Sequence, residues 1–395
     1  MRLAMGNRDA GRLEQTICDY LAWMETEGYA PGSRRAYKQV LSHFVRYIKD
    51  RKVVWTEALS AETLTRFKKA RGLTYAPAVR GLSRYLSKQG EISQPIPNRK
   101  AQAKLPDPYE HYLIYHRRSH QAPLRKVNHI RRVLTAFHHY LQRFNIDLCH
   151  LRIEHLDGFL AEFLAPFSQT TKRTYRSYLR GFLRYLYYES HIVQRNLAPL
   201  VVGAPLFDRA QPAKFLRPHE VEKLFASLKL SSASDLRTYA IVHLAYFLGL
   251  RAAEISTITL DDISFRKGKL SLRDRKSNNP VILPLPEPAL KAIVAYLIGG
   301  RARSTSRRLF LNLCAPYGPI SSGSVGYAIR AWMKRTGLAA TPYWLRHTYA
   351  QNLLEAGASI YEIKEMLGHD SIESARAYLH IHTSLMRKVL FDESL

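Results

Sequence analysis

Four short segments in the C-terminal half carry side chains suited to attack on a phosphodiester. GLRAAEI (249–255) holds Arg251 and, three positions on, Glu254. The turn-rich stretch RDRKSNN (273–279) holds Lys276, with Arg273 and Arg275 beside it. YWLRHTYAQNLLEAG (343–357) holds Tyr343, Arg346 and His347, and LGHDSIESARAYLH (367–380) holds His369 and, further along, Tyr378. Two guanidiniums can clamp the non-bridging oxygens of a phosphoryl group bidentately and stabilise the charge that builds during in-line displacement. A tyrosine hydroxyl is a sensible nucleophile for reversible work, because the phosphate ester it forms keeps the energy of the broken bond. A lysine can supply the proton that a leaving oxygen needs.

The order and spacing of these segments resemble the catalytic domain of the tyrosine recombinase family, the phage integrase type. The LRHT and LGH boxes and the tyrosine that follows them carry that resemblance. It implies that Arg251 and Arg346 form the phosphate clamp. By the same resemblance Tyr378 attacks to give a 3′-phosphotyrosine, Lys276 protonates the 5′-oxygen, and His369 supports the phosphate. One position departs from the pattern. The family usually has histidine three residues before the second arginine, and Tyr343 stands there instead. A phenol donates a hydrogen bond but accepts a proton poorly, so removal of the Tyr378 proton is expected to be slower or to fall to another group. Glu254 is expected to orient a neighbour through an internal ion pair, and His347 to brace the site.

Several elements must position these residues. Helices are predicted over about 218–228, 235–248 and 252–257. ISFRKGKLSLRDRKSNNPVILPLP then reads as short strands joined by turns at Gly268 and Ser277-Asn278-Asn279. Helical periodicity returns from Glu287, with breaks near Pro316 to Pro319 and at Pro342. Past Tyr378, residues Ile381, Leu385, Val389 and Leu390 have roughly helical spacing and predict a short amphipathic helix. It either packs on its own domain or docks on a neighbouring protomer of a tetramer; the family resemblance implies docking, which is the favoured reading.

The N-terminal half repeats itself. Asp19-Tyr20-Leu21 returns as His111-Tyr112-Leu113, Ala30-Pro31 as Ala122-Pro123, and LSAETLTRF (59–67) as LRIEHLDGF (151–159). RGLSRYL (80–86) returns as RGFLRYL (180–186) after an eight-residue insertion near Ser168 to Arg173. Two units are too few for a solenoid and read as two copies of one small helical domain. Proline clusters at 95–108 and 199–212 mark the linkers. The expected organisation is a first helical domain over 1–95, a second over 105–200 and a catalytic domain over 211–395. The fold class is mainly α (α+β), with a small antiparallel sheet. By the family resemblance the second copy corresponds to the core-binding domain and the first is an additional domain of that type.

The chain has 395 residues, 60 of them Lys or Arg against 32 Asp or Glu, for a formal charge of +28. So large a surplus repels itself unless a polyanion is near, and it extends over both 1–210 and 211–395. Nucleic acid is the leading partner, an anionic membrane surface the rival, and the family resemblance implies double-stranded DNA. No apolar run reaches the ~20 residues of a spanning helix, and MRLAMGNRDAGR has no apolar signal region. No P-loop motif is present. Cys18, Cys149 and Cys314 lie far apart, with no paired zinc spacing and no disulfide framework, which points to a reduced, cytoplasmic setting. No cofactor or metal is expected, because arginine and lysine supply the positive charge. The expected function is site-specific recombination or integration of a mobile element by a tetramer on DNA. A topoisomerase-like nicking-closing enzyme and a catalytically silent DNA-binding accessory protein are the alternatives.

Overall fold

The computed structural model describes residues 7–71, 76–97, 104–203, 214–228, 230–273 and 280–368. The chain divides into two compact units, one formed by Arg99–Asp208 and the other by the segments on either side of it.

The N-terminal segment folds into helices α1 (Asn7–Thr26), α2 (Pro31–Asp50), α3 (Trp55–Ala58), α4 (Ala61–Arg71) and α5 (Ala76–Lys88). Pro31 opens α2, where a missing N–H costs nothing. Leu41, Phe44, Val45 and Ile48 recur at helical spacing, so α2 presents one apolar face. That face meets Leu13, Tyr20 and Met24 of α1 and Val79, Leu82 and Leu86 of α5 in a core of their own.

The 99–208 unit contains α6 (Asp107–Ser119), α7 (Leu124–Arg143), α8 (Ile153–Leu164) and α9 (Gln169–Tyr188) around a second core. Pro106 and Pro108, expected in a linker, instead start α6: Pro106 is its N-cap and Pro108 lies in its first turn. Proline's fixed φ suits a helix start as well as a linker. The polar stretch after Ser168 likewise becomes the first turns of α9, with the Ser168 hydroxyl accepting from the Thr171 N–H. Glu110 is buried and accepts from Arg131 Nη2 at 2.8 Å and from the Leu105 N–H at 3.0 Å. The Arg131 bonds hold its carboxyl below the usual carboxylate range despite burial.

The two helical bundles share geometry at residues that the repeat pairs. Tyr20 and Tyr85 have ring centroids 5.3 Å apart at 46°, and Tyr112 and Tyr185 stand 5.3 Å apart at 50°. Tyr47 meets Phe67 at 5.2 Å and 56°; in the second bundle Tyr140, one residue beyond the strict repeat register, meets Phe159 at 5.6 Å and 61°. A Cβ at Gly81 would collide with the Tyr20 hydroxyl, and one at Gly181 with the Tyr112 hydroxyl. After α2 and α7, Lys52 and Asn145 turn the chain with φ of 50° and 52°.

In the C-terminal segment the expected helices are α10 (Pro218–Ala226), α11 (Ala233–Phe247) and α12 (Ala252–Thr257). Strands β1 (Ile263–Ser264), β2 (Lys269–Leu272) and β3 (Val281–Pro284) form an antiparallel sheet in sequence order. Register is set by Ile263 opposite Leu270 and by Leu270 opposite Leu283, which puts all three buried side chains on one face. Gly268, at φ 56°, makes the first turn. Helices α13 (Glu287–Gly299), α14 (Ser322–Arg335), α15 (Pro342–Glu355) and α16 (Ile360–Leu367) follow. α11 is the central element, buried without break from Ala240 to Ala245 and packed by α13, α14 and α15. A smaller cluster of Ala350, Leu354, Ile363 and Leu367 joins α15 to α16. Among the described residues no helix is long and apolar enough to cross a membrane.

Candidate active site

Three of the four sequence segments meet at one point. α11 ends at Phe247, and Gly249, at φ +60°, turns the chain toward α12. A side chain at Gly249 would strike the Tyr349 ring and approach Leu367 Cδ2 to 3.0 Å, so the position demands glycine for space as well as for conformation. Arg251 then caps α12 from extended backbone, with φ −71° and ψ 150°. Glu254, in the first turn of α12, accepts from the Arg251 N–H at 2.7 Å and from Arg251 Nη1 at 3.0 Å.

Arg346 enters from the second turn of α15. Its Nη1 donates to the Gly249 carbonyl at 2.7 Å, its Nη2 donates to the Leu367 carbonyl, and Glu254 Oε2 lies 3.9 Å away. Arg251 reaches the same end of α16, with Nη1 3.4 Å from the Leu367 carbonyl and Nη2 3.1 Å from the Gly368 carbonyl. Glu254 therefore sits between two guanidiniums as their shared counter-charge, the orienting role expected of it. The exposures differ. The Arg251 side chain is 20% exposed, whereas those of Arg346 and Glu254 are each 4% exposed. α16 stops because Gly368 adopts a left-handed cap with φ 62° and ψ 56°. His369 follows that cap directly.

Tyr343 lies in the first turn of α15, 61% exposed, with its ring centroid 6.1 Å from that of His347 one turn later. Burial, reinforced by the neighbouring Arg346, pushes the His347 pKa below the ordinary imidazole value. The shift favours the neutral ring, which suits bracing. Burial pushes the Tyr349 hydroxyl in the opposite direction, up from the ordinary phenol value.

Of the six residues singled out as catalytic, the structure brings together Arg251 and Arg346 and places Tyr343 on the same helix as Arg346. Lys276, between β2 and β3, and His369 and Tyr378, beyond α16, lie outside the described residues. The amphipathic stretch from Ile381 to Leu390 lies outside them as well. Sequence reasoning missed the main-chain acceptors, the carbonyls of Gly249, Leu367 and Gly368, which tie the arginines to the boxes on either side. The trace they leave in the sequence is the pair of glycines, both at positive φ.

Comparison with known proteins places this geometry in context. The profile described as the phage integrase family matches residues 214–384. A protein of Sinorhizobium fredii named as an integrase/recombinase, y4rA, is 30% identical over 246 residues, covering 61% of this chain and 59% of its own length. Tyrosine recombinase XerC of Bacillus licheniformis is 30% identical over 220 residues, 54% of this chain and 70% of its own. Tyrosine recombinase XerD of Rickettsia bellii is 28% identical over 289 residues, 67% of this chain and 91% of its own. In fold, the chain is similar to a lambda integrase dimer bound to a core site (TM-score 0.52, 18% identity, 68% of this chain and 94% of that one). It is also similar in fold to the integrase of transposon Tn1549 in complex with a circular intermediate DNA (TM-score 0.54, 15% identity, 69% and 94%). With the sequence matches and the arrangement of Arg251, Glu254 and Arg346 in agreement, the chain belongs to the phage integrase family of tyrosine recombinases.

Proposed function

We propose that this recombinase cleaves and rejoins duplex DNA through a 3′-phosphotyrosine at Tyr378, in the service of a mobile element and in the cytoplasm. The observation that carries the proposal is the convergence of Arg251 and Arg346 on the carbonyl of Leu367, two residues before His369, with Glu254 between them. A phosphate entering there meets Arg251 first, since that guanidinium reaches solvent. Arg346 stands behind it and fixes the end of α16. Lys276, carried between β2 and β3, protonates the 5′-oxygen as it leaves. Tyr343 donates a hydrogen bond to the phosphoryl group without serving as base. No step needs a metal, because the developing charge is met by guanidinium and ammonium groups.

The chain then has three domains: two helical modules over 1–95 and 105–200, duplicates of one another, and a catalytic domain over 211–395; the separate cores of the two helical bundles support this division. The modules hold the duplex mainly through phosphates, with basic residues such as Arg34, Lys38, Arg132, Arg173 and Arg176. Lys126, Arg180 and Arg184 line one cleft on the second of them. Four protomers, joined by the segment from Ile381 to Leu390, bring two duplexes together.

A plasmid carrying two copies of the DNA that flanks the gene, incubated with the protein and a metal chelator, tests the reading. Site-dependent deletion or inversion products are expected. Relaxed topoisomers without recombinants would turn the reading into nicking and closing. The exposed Tyr343 in the histidine position favours a second reading, a catalytically silent DNA-binding protein, which predicts retarded but unaltered plasmid.

A further inference from the structure

The connection between α7 and α8 carries a cluster for which the phosphoryl chemistry has no use. We propose that Asp147, Cys149 and His150 form a binding site for a zinc-class divalent ion on the 99–208 unit. Asp147 occupies the N-cap position of a single 3₁₀ turn over Leu148–His150, with no side-chain capping bond. The turn is fixed at both ends: Ile146 N–H donates to the Leu141 carbonyl at 2.9 Å, His150 N–H to Asp147 at 3.1 Å and Leu151 N–H to Leu148 at 3.3 Å. Ile146 and Leu148 pack against the core of the unit, and Leu151 is buried in it. With the apolar residues pointing inward, Asp147, Cys149 and His150 are all exposed, and their ligand atoms lie within 4.8 Å of one another.

The closest pair is Cys149 Sγ and His150 Nδ1, at 3.4 Å. A tetrahedral zinc ion with bonds of about 2.0–2.3 Å separates its ligand atoms by roughly 3.3–3.7 Å. One edge of the polyhedron is thus present, and rotation of an exposed aspartate closes the others. A thiolate, an imidazole and a carboxylate together select zinc over magnesium or calcium, which take oxygen ligands. Three protein ligands leave the fourth position to water or to a group from another molecule. When the zinc–sulfur bond forms, the thiol proton goes to solvent. The bundle itself does not require these ligands. The first module has Trp55-Thr56-Glu57-Ala58 in the same place, immediately before LSAETLTRF, as Asp147-Leu148-Cys149-His150 stands before LRIEHLDGF. The site leaves no cysteine-to-cysteine spacing in the sequence, because its partners are an aspartate and a histidine beside a single thiol.

Cobalt titration of the metal-stripped full-length protein tests the proposal. One equivalent is expected to give the ligand-field bands of tetrahedral cobalt with a thiolate-to-metal charge-transfer band, and zinc is expected to displace it. Cys149→Ser abolishes the charge-transfer band, Asp147→Asn and His150→Ala weaken binding at least about tenfold, and Cys18→Ser with Cys314→Ser leaves it unchanged. A second measurement needs no variant: zinc should slow alkylation of Cys149 by iodoacetamide at least about tenfold, read by peptide mass spectrometry. A cobalt signal that survives in Cys149→Ser, or Cys149 alkylated at the same rate with and without zinc, would overturn the assignment.

Discussion

Glu254 is the residue on which the geometry of the site turns. It is 4% exposed and faces Arg251 at 3.0 Å and Arg346 at 3.9 Å, so its charge is spent on two guanidiniums at once. Glu254→Gln keeps the shape and removes the charge. Misplacing the clamp is expected to slow formation of a covalent DNA complex about tenfold to a hundredfold. The same change is expected to cost about 1–3 kcal/mol of stability, measured by urea denaturation. Wild-type cleavage by this variant would show that the arginines are positioned by something else. The histidines whose proton affinity is lowered by their surroundings make a separate prediction. Burial holds His243, packed among Phe225, Tyr239 and Phe247, below the ordinary imidazole value, and it does the same for His347, His116 and His138. In each case the unfolded chain binds the proton more readily than the folded one. Stability is therefore full above the unfolded value and falls as the pH drops through it toward the lower folded value. Between about pH 7.5 and 5.5 the urea midpoint should fall, and His243→Phe should flatten the fall. A midpoint that rises on acidification would contradict this account of burial.

At the scale of elements, the helices of both modules were legible because each buries a single stripe, as α2 does with Leu41, Phe44, Val45 and Ile48. The small sheet was legible from alternating residues and from Gly268. The function of Pro106 and Pro108 was not, since proline marks helix starts and linkers with the same letter. Nor does a sequence show that Arg346 and Arg251 share a main-chain carbonyl, because every residue carries one. The repeat becomes physical at Gly81 and Gly181, where a tyrosine hydroxyl from the first helix of each bundle occupies the space a Cβ would take. Gly181→Ala is expected to destabilise the 99–208 unit by about 1–3 kcal/mol through overpacking. Removing the obstructing hydroxyl with Tyr112→Phe in the same chain should recover most of that loss. Gly81→Ala with Tyr20→Phe should behave alike. If Gly181→Ala were neutral, or if the double variant were no better than the single, the parallel between the bundles would not extend to their packing.

At the scale of the whole molecule, charge is the dominant feature. The formal charge of +28 indicates a polyanionic partner, but it does not say which arginines meet it. The structure removes some from the tally: Arg301 donates to the carbonyls of Ser306, Arg308 and Leu309, and Arg237 to that of Leu311, so both brace their own fold. Affinity for duplex DNA should fall steeply between about 50 and 200 mM salt, and deleting residues 1–95 should make the dependence shallower. An unchanged slope after the deletion would remove the first module from the DNA contact. The central claim is that Tyr378 is the nucleophile of a site built by Arg251, Glu254 and Arg346. Nicked duplexes drawn from the DNA flanking the gene, incubated with the protein and resolved under denaturing conditions, test it most directly. The account predicts a covalent protein–DNA band that is lost in Tyr378→Phe and that maps to a phosphotyrosine at residue 378. Tight binding with no covalent band, or a band that persists in Tyr378→Phe, would contradict it.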